Sequence, residues 1–185
     1  MFHYSLQMSD SLLKTYRPLL IFTAKFAAVY IILSGLYMAY LSQYKQQTDP
    51  LTRFVGKNVD GMFNILGIHA STPPIPHEQG VKLIINGTYV ARIVEGCTAA
   101  SVIIMFIAFI IAFGHNPKKS LLFALTGSLL IFLFNILRIV FLGYLLYAFP
   151  KYQDIAHRII FPALIYGFVV ILWIIFIKKY NHASA

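Results

Sequence analysis

Charged residues and cysteines are scarce in this sequence. Only 11% of the 185 residues are charged, whereas about 25% is usual in soluble domains. Hydrophobic residues make up 59% of the chain, and the mean hydropathy is +0.74. The length fits one domain, but so apolar a composition excludes an ordinary soluble fold. We therefore expect residues 1–185 to form a single membrane-embedded domain whose apolar surface mostly faces lipid.

Other absences exclude whole classes of chemistry. The single cysteine, Cys97, excludes an intrachain disulfide. Histidines, cysteines and carboxylates do not recur at metal-ligand spacing, and no glycine-rich phosphate loop is present, so we predict neither a metal nor another cofactor. Acidic residues are few, with six against 15 basic residues. The resulting charge of +9 does not predict nucleic-acid binding, because the basic residues flank apolar runs, as the positive-inside rule describes.

Four apolar runs predict an all-α polytopic membrane protein. At about 1.5 Å per residue, such runs cross a hydrocarbon layer of about 30 Å. The predicted transmembrane helices cover residues 18–41, 98–113, 120–142 and 159–177. The third apolar run continues to Phe149, so we expect that crossing to end near Phe141 or Gly143 and the remainder to be tilted or interfacial.

The one long polar segment, residues 42–96, carries signals for two small elements. Apolar residues at helical spacing predict an extracytoplasmic amphipathic helix lying on the membrane. They are Phe54, Val55, Val59, Met62, Phe63 and Leu66. Two β-rich runs, 81–85 and 88–94, are separated by an Asn-Gly pair at 86–87, the strongest short-range signal for a β-hairpin. The hairpin leads directly towards Cys97.

Basic residues are distributed unevenly between the two sides of the predicted membrane. One side has six of them close to span ends and only Asp10 as an acidic residue; the six are Lys14, Arg17, Lys118, Lys119, Lys178 and Lys179. The long loop on the other side has five basic and four acidic residues. The positive-inside rule therefore predicts a multi-pass protein of the cytoplasmic (inner) membrane with both termini cytoplasmic. The hairpin, Cys97 and the loop 150–158 are then extracytoplasmic.

Three reactive side chains are predicted at the same outer membrane level. Cys97 opens the second span, and His157 precedes the fourth. Arg138 lies 19 residues beyond Lys119, about 28 Å along a helix, and so nears the outer end of the third span, with Asn135 on the same helix face. Each also has an ordinary interpretation: a small buried thiol, an arginine that reaches lipid headgroups, and a solvated histidine.

Acyl transfer is the chemistry that these side chains could perform if they converge. A helix N-terminus and a nearby cation favour the thiolate form of a cysteine, and a thiolate attacks a carbonyl to give a thioester. His157 would move the proton as base and then as acid, while Arg138 would hold the carbonyl or the developing oxyanion. Ser101 is a weaker alternative nucleophile, because no Gly-x-Ser-x-Gly context surrounds it.

The order of these residues resembles the exosortase/archaeosortase family: Cys97, then Asn135 and Arg138, then His157, each at the outer end of a span. The four-span form looks like the small single-domain bacterial members, such as the exosortase F type. The resemblance implies a cysteine peptidase and transpeptidase, with Cys97 as the nucleophile, Arg138 orienting the substrate or oxyanion, and His157 as general acid and base. Substrate-binding or supporting roles are expected for Asn135, Glu95, Gly96 and Thr98.

The resemblance also implies the partners of such an enzyme. They are exported proteins that end in a short motif, an apolar helix and a basic tail, together with membrane lipid and an acceptor. The hairpin could present an edge strand to the extended substrate tail. This chain departs from larger relatives in having Thr98-Ala99-Ala100 after the cysteine, where Ser-Gly is common, and in lacking their additional helices. A non-catalytic membrane subunit or assembly factor, with Arg138 anchoring lipid or a partner, stays open as the alternative.

Overall fold

The computed structural model describes residues 2–114, 116–152, 155 and 159–181. Most of these residues are helical, and three short strands among them form one sheet. The helices are α1 (Phe2–Leu41), α2 (Pro50–Ile65), α3 (Ala100–Phe113), α4 (Pro117–Ala148) and α5 (Phe161–Asn181). The strands are β1 (Ala70–Ser71), β2 (Val81–Ile85) and β3 (Thr88–Ile93), and 3₁₀ turns lie at Ser42–Tyr44, Glu95–Cys97 and Pro150–Tyr152.

Three stretches of the described helices are long and apolar enough to cross a membrane. They are Tyr16–Tyr44, Pro117–Ala148 and Pro162–Lys179, with mean hydropathies of 2.0, 2.4 and 1.9. They coincide with three of the four predicted spans. The remaining candidate, α3, has 14 residues, which is about 21 Å of helix against about 30 Å of hydrocarbon. A crossing by α3 therefore stays a prediction.

The helix α4 is unbroken over 32 residues. It begins after Asn116, whose side chain accepts a hydrogen bond from the Lys119 amide at 3.2 Å, and Pro117 occupies the first turn, where no intrahelical donor is needed. The helix continues past Gly143, where the crossing was expected to end. Gly143 instead permits a close approach, since an added Cβ would lie 2.6 Å from Leu83 Cδ2. The sheet therefore rests directly on α4.

The helix α2 forms where the apolar spacing predicts it. Its first turn is capped by Asp49, whose Oδ1 accepts a hydrogen bond from the Thr52 amide at 3.0 Å. Val55, Val59 and Phe63 are fully buried in a core with the sheet and α4. The apolar stripe is thus used inside the protein, while two other residues of the predicted stripe, Phe54 and Leu66, are exposed. The predicted position of this helix on the membrane surface stays a prediction.

The structure confirms the predicted hairpin and adds a strand to it. β2 and β3 pair antiparallel, and Asn86 and Gly87 both have positive φ, at 50° and 80°, as a tight primed hairpin turn requires. The two-residue strand β1 pairs with the other edge of β2, giving the order β1-β2-β3. Sequence reasoning missed β1, because two residues are too short for an alternating pattern. β3 is consequently an edge strand.

A second core joins α3, α4 and α5. Its buried members include Phe106, Ile131 and Phe176. Gly127 of α4 lets the Phe106 ring approach so closely that an added Cβ would lie 2.4 Å from Cζ. α1 packs on α3 through Phe22, whose ring meets that of Phe109 edge-on at 5.7 Å between centroids. Small residues and aromatic contacts of this kind are how helices associate in lipid.

Candidate active site

Cys97 lies in the 3₁₀ turn that joins β3 to α3. Its backbone amide donates to the Val94 carbonyl at 2.8 Å, and the Thr98 amide donates to the Glu95 carbonyl at 3.2 Å. The side chain is half-buried and packs against the core formed by α2, the sheet and α4. The prediction placed Cys97 at or near a helix N-terminus, and α3 begins three residues later, at Ala100.

The residue between this turn and α3 has a left-handed backbone. Ala99 has φ 60° and ψ 8°, a conformation that costs an L-residue about 1–2 kcal/mol and that glycine adopts freely. It is 4% exposed and packs in the core of the helices. This backbone reversal allows the chain to leave the turn and enter α3 immediately.

Asn135 connects the turn to Arg138. Its Nδ2 donates to the carbonyl oxygen of Cys97 at 2.7 Å, and its Oδ1 accepts from Arg138 Nη1 at 3.2 Å. The side chain is fully buried, where an unmade hydrogen bond is costly. Since a flipped amide would lose both bonds, this network specifies the orientation of the amide. Asn135 thus ties the backbone of Cys97 to the guanidinium of Arg138.

Thr98 holds the turn from the other side. Its hydroxyl donates to the Glu95 carbonyl at 2.8 Å and accepts from the Ala100 amide at 3.4 Å. The hydroxyl of Tyr37, on α1, lies 3.5 Å from the same oxygen. Thr98 is 1% exposed, so its role here is to fix the turn. Sequence reasoning missed Tyr37, and the only signal for it was a hydroxyl near the end of an apolar span.

Two cavities meet at Cys97 and Arg138. The first, which we call the β3 groove, has a volume of about 290 Å³ and lies between residues 89–93 of β3 and one face of α4. The second, which we call the helix cavity, has a volume of about 300 Å³ and lies among the N-terminal turns of α3 and α5 and Arg138. Both Cys97 and Arg138 line both cavities. A molecule bound at this pair could extend to either side.

The remaining predicted supporting residues have different positions. Gly96 lines the helix cavity. Glu95 lines a separate, small cavity with Tyr44 and Asp49, and its backbone carbonyl serves the turn. Tyr166 of α5 was missed by sequence reasoning, although it lines the helix cavity together with Cys97 and Arg138. A hydroxyl-bearing residue one to two turns into the last span was the available signal.

Comparison with known proteins identifies the family. The family model for transmembrane exosortases matches residues 18–178, which is most of the chain. This chain belongs to the transmembrane exosortase family. The match confirms the resemblance drawn from Cys97, Asn135, Arg138 and His157, and with the apolar helices it establishes a membrane protein. No curated protein and no solved structure matches the chain.

The exosortase match extends over the whole candidate site. It starts within α1 and ends within α5, so it includes the turn, both cavities and position 157. His157 itself lies outside the described residues. Within the part of the chain that the structure describes, no three His, Cys, Asp or Glu side chains are grouped as a metal site would need. The described polar groups of the site are the thiol of Cys97 and the guanidinium of Arg138, which line both cavities, and the Asn135 amide, which is hydrogen-bonded to Arg138 and to the Cys97 backbone.

Proposed function

We propose that this exosortase is a membrane-embedded cysteine peptidase and transpeptidase. It cleaves the C-terminal sorting signal of exported proteins and transfers them to an acceptor. The observation that carries the proposal is the placement of Cys97 and Arg138 in the same two cavities, with Asn135 bonded to both. A nucleophile beside a cation that can stabilise an oxyanion is an arrangement that supports acyl transfer.

The first half of the proposed reaction forms a thioester. The thiolate of Cys97 attacks the scissile carbonyl carbon, and the negative charge moves to the carbonyl oxygen. Arg138 stabilises that oxyanion, because a fixed cation in a partly desolvated site interacts strongly with developing charge. The C–N bond then breaks, and the leaving amine takes a proton from the imidazolium of His157.

The second half regenerates the enzyme. Neutral His157 accepts a proton from the acceptor nucleophile, which attacks the thioester carbonyl. The C–S bond breaks and the thiolate of Cys97 leaves, so the exported protein ends on the acceptor. With water as the nucleophile the same steps give hydrolysis.

The proposed membrane arrangement follows the charge pattern of the sequence. Both termini are cytoplasmic in the inner membrane, and α3 is the second of four crossings. The segment 42–96, with its amphipathic helix α2, then lies on the extracytoplasmic face beside lipid. Exported proteins with a short C-terminal motif, an apolar helix and a basic tail approach the site from that face.

The single cysteine makes a direct test possible. A membrane-impermeant maleimide applied to intact cells should label Cys97, and Cys97→Ala should abolish both labelling and processing of a co-expressed exported protein that carries such a C-terminus. Processing is read as the size difference on a blot. Normal processing by Cys97→Ala at equal membrane abundance would refute the proposal, and an unreactive Cys97 would favour a non-catalytic membrane subunit.

His157 is tested in the same cells. His157→Gln should reduce processing by about 10²–10⁴-fold, the usual contribution of general acid–base catalysis, while maleimide still labels Cys97. His157→Gln with wild-type processing would remove His157 from the mechanism but leave the role of Cys97 intact.

A further inference from the structure

The β3 groove has a shape that suits one kind of occupant. Residues 89–93 line it consecutively, although successive side chains of a strand point to opposite faces of the sheet. A cavity that touches five consecutive residues of β3, together with Leu83 of β2, therefore reaches the edge of β3 as well as the face of the sheet that α4 covers. Among the described strands, β3 pairs only with β2, so this edge offers backbone N–H and C=O groups to the groove.

The opposite wall of the β3 groove is one face of α4. Ile139, Leu142, Gly143 and Leu146 line it, and their spacing places them on a single helical stripe. The wall is apolar, and at its middle the side chain of Leu83 from β2 packs on Gly143 and also lines the groove. A backbone edge facing an apolar stripe matches an extended peptide, which pairs through its main chain and places alternate side chains on the wall.

The β3 groove ends at Cys97 and Arg138, here called the reactive pair, and this end sets the direction of the groove. On the helical wall it runs from Arg138 towards Leu146, and on the strand it runs from Ile93 back to Tyr89. The helix cavity extends from the same pair in the opposite direction. It follows the first turns of α3 and α5, and these two helices run antiparallel to α4 in the bundle. An apolar substrate helix in the membrane would enter from the helix cavity, so the β3 groove is left for the segment on the other side of the scissile bond.

We propose that the β3 groove binds about three to four residues of the exported protein, in extended conformation, directly on the amino-terminal side of the bond that Cys97 attacks. The length follows from four residue steps along β3, from Tyr89 to Ile93, about 13 Å, and eight along α4, from Arg138 to Leu146, about 12 Å. This inference rests on the proposed function, because it takes Cys97 as the nucleophile. It assigns sequence recognition at the cleavage site to β3 and α4.

Vinyl sulfone peptides test the groove without a known substrate. The probes are acetylated alanine peptides of increasing length with a C-terminal vinyl methyl sulfone, applied to the full-length protein in detergent. Cys97 Sγ adds to the vinyl carbon beta to the sulfone, which is the one bonded to the peptide, to form a thioether, and the carbon next to the sulfone takes a proton from water. The rate of Cys97 modification, followed by intact mass, is expressed relative to iodoacetamide.

A peptide that adds to β3 has two signatures. The relative rate should rise at least about tenfold from one to four residues and then level off, since two main-chain hydrogen bonds contribute roughly that factor. N-methylation along the longest probe should slow labelling at alternate residues only, because every second residue of an edge pair faces the strand. A rate independent of length, or uniform sensitivity to N-methylation, would overturn the inference.

Two neighbouring variants localise the effect. Leu142→Trp fills the β3 groove and should remove the dependence on length, whereas Phe141→Trp, at an exposed position that does not line the groove, should keep it. Equal behaviour of the two variants would contradict the assignment to this groove. Failure of the proposed function looks different, because Cys97 would then react slowly with iodoacetamide as well as with every peptide.

Discussion

Two parts of the molecule are held together by different means: residues 49–97, here called the loop region, and the bundle of α1, α3, α4 and α5. The first has a compact core in which Val59, Phe63 and Leu83 are almost completely buried, as in a soluble domain. In the bundle, none of the most apolar window of α1 is buried, and the windows of α4 and α5 are 39% and 22% buried. Most of the apolar surface of the bundle is therefore available to lipid.

The difference explains where the site lies. Cys97 belongs to the end of the loop region, whereas Arg138 and Asn135 belong to α4 of the bundle. Neither part contains the site alone, and the hydrogen bond from Asn135 to the Cys97 carbonyl is one of the contacts that joins them. The geometry of the reactive pair thus depends on how the loop region docks on α4.

The largest expected effect comes from removing that connection. Asn135→Leu keeps the branched shape of the side chain but leaves the Cys97 carbonyl and the Arg138 guanidinium without this partner, which costs about 1–3 kcal/mol per buried group. We expect processing to fall by about a hundredfold or more while Cys97 is still labelled by maleimide. Leu137→Ala, at an exposed position on the same helix, is the control and should process normally. Wild-type activity of Asn135→Leu would show that the connection is not needed.

The second effect comes from separating the two parts sterically. Gly143→Ala places a Cβ 2.6 Å from Leu83 Cδ2 and 3.2 Å from Phe63 Cζ, and overpacking of this kind typically costs about 1–3 kcal/mol. We expect a lower melting temperature in detergent and slower processing. Gly167→Ala in α5, where nothing lies within 4 Å, should be neutral or slightly stabilising. Equal melting temperatures for Gly143→Ala and Gly167→Ala would contradict the close approach of the sheet to α4 at Gly143.

A smaller effect is expected at Ala99, where the chain passes from the loop region into the bundle. Ala99→Gly relieves a positive φ and should raise the melting temperature, by at most the roughly 1–2 kcal/mol that this conformation costs. Ala100→Gly, one residue later and inside α3, should instead lower it, since glycine is unfavourable in a helix. Destabilisation by Ala99→Gly would mean that the methyl packing outweighs the backbone strain.

The smallest effect concerns Asp60 within the loop region. Burial raises the pKa of its carboxyl, and the two hydrogen bonds from Thr72 offset only part of that rise. Because the folded pKa lies above the ordinary value of 3.8, this group favours the folded state at pH values below 3.8, and the contribution is lost as the pH rises through the folded pKa. Asp60→Asn should flatten that part of the melting-temperature profile measured in detergent. An unchanged profile would assign the slope to another group.

The local elements were predictable because their causes are local. Asn86 and Gly87 specify the hairpin turn, and the spacing of Val55, Val59 and Phe63 specifies α2. In contrast, β1 was missed, because its two residues form a strand only when β2 lies beside them. The sequence also predicted the apolar face of α2 but not what covers it, because such a face fits a membrane or a protein core equally well.

The sequence by itself determined the membrane class, the apolar helices, the hairpin and the residue types of the site, because composition and periodicity depend only on the order of residues. Tertiary structure alone decided that Asn135 bonds to the Cys97 carbonyl, that Tyr37 supports Thr98, and that two cavities meet at Cys97 and Arg138. Those contacts join residues 38, 61 and 41 positions apart. Such contacts form only after the loop region packs on α4, and no local pattern encodes that packing.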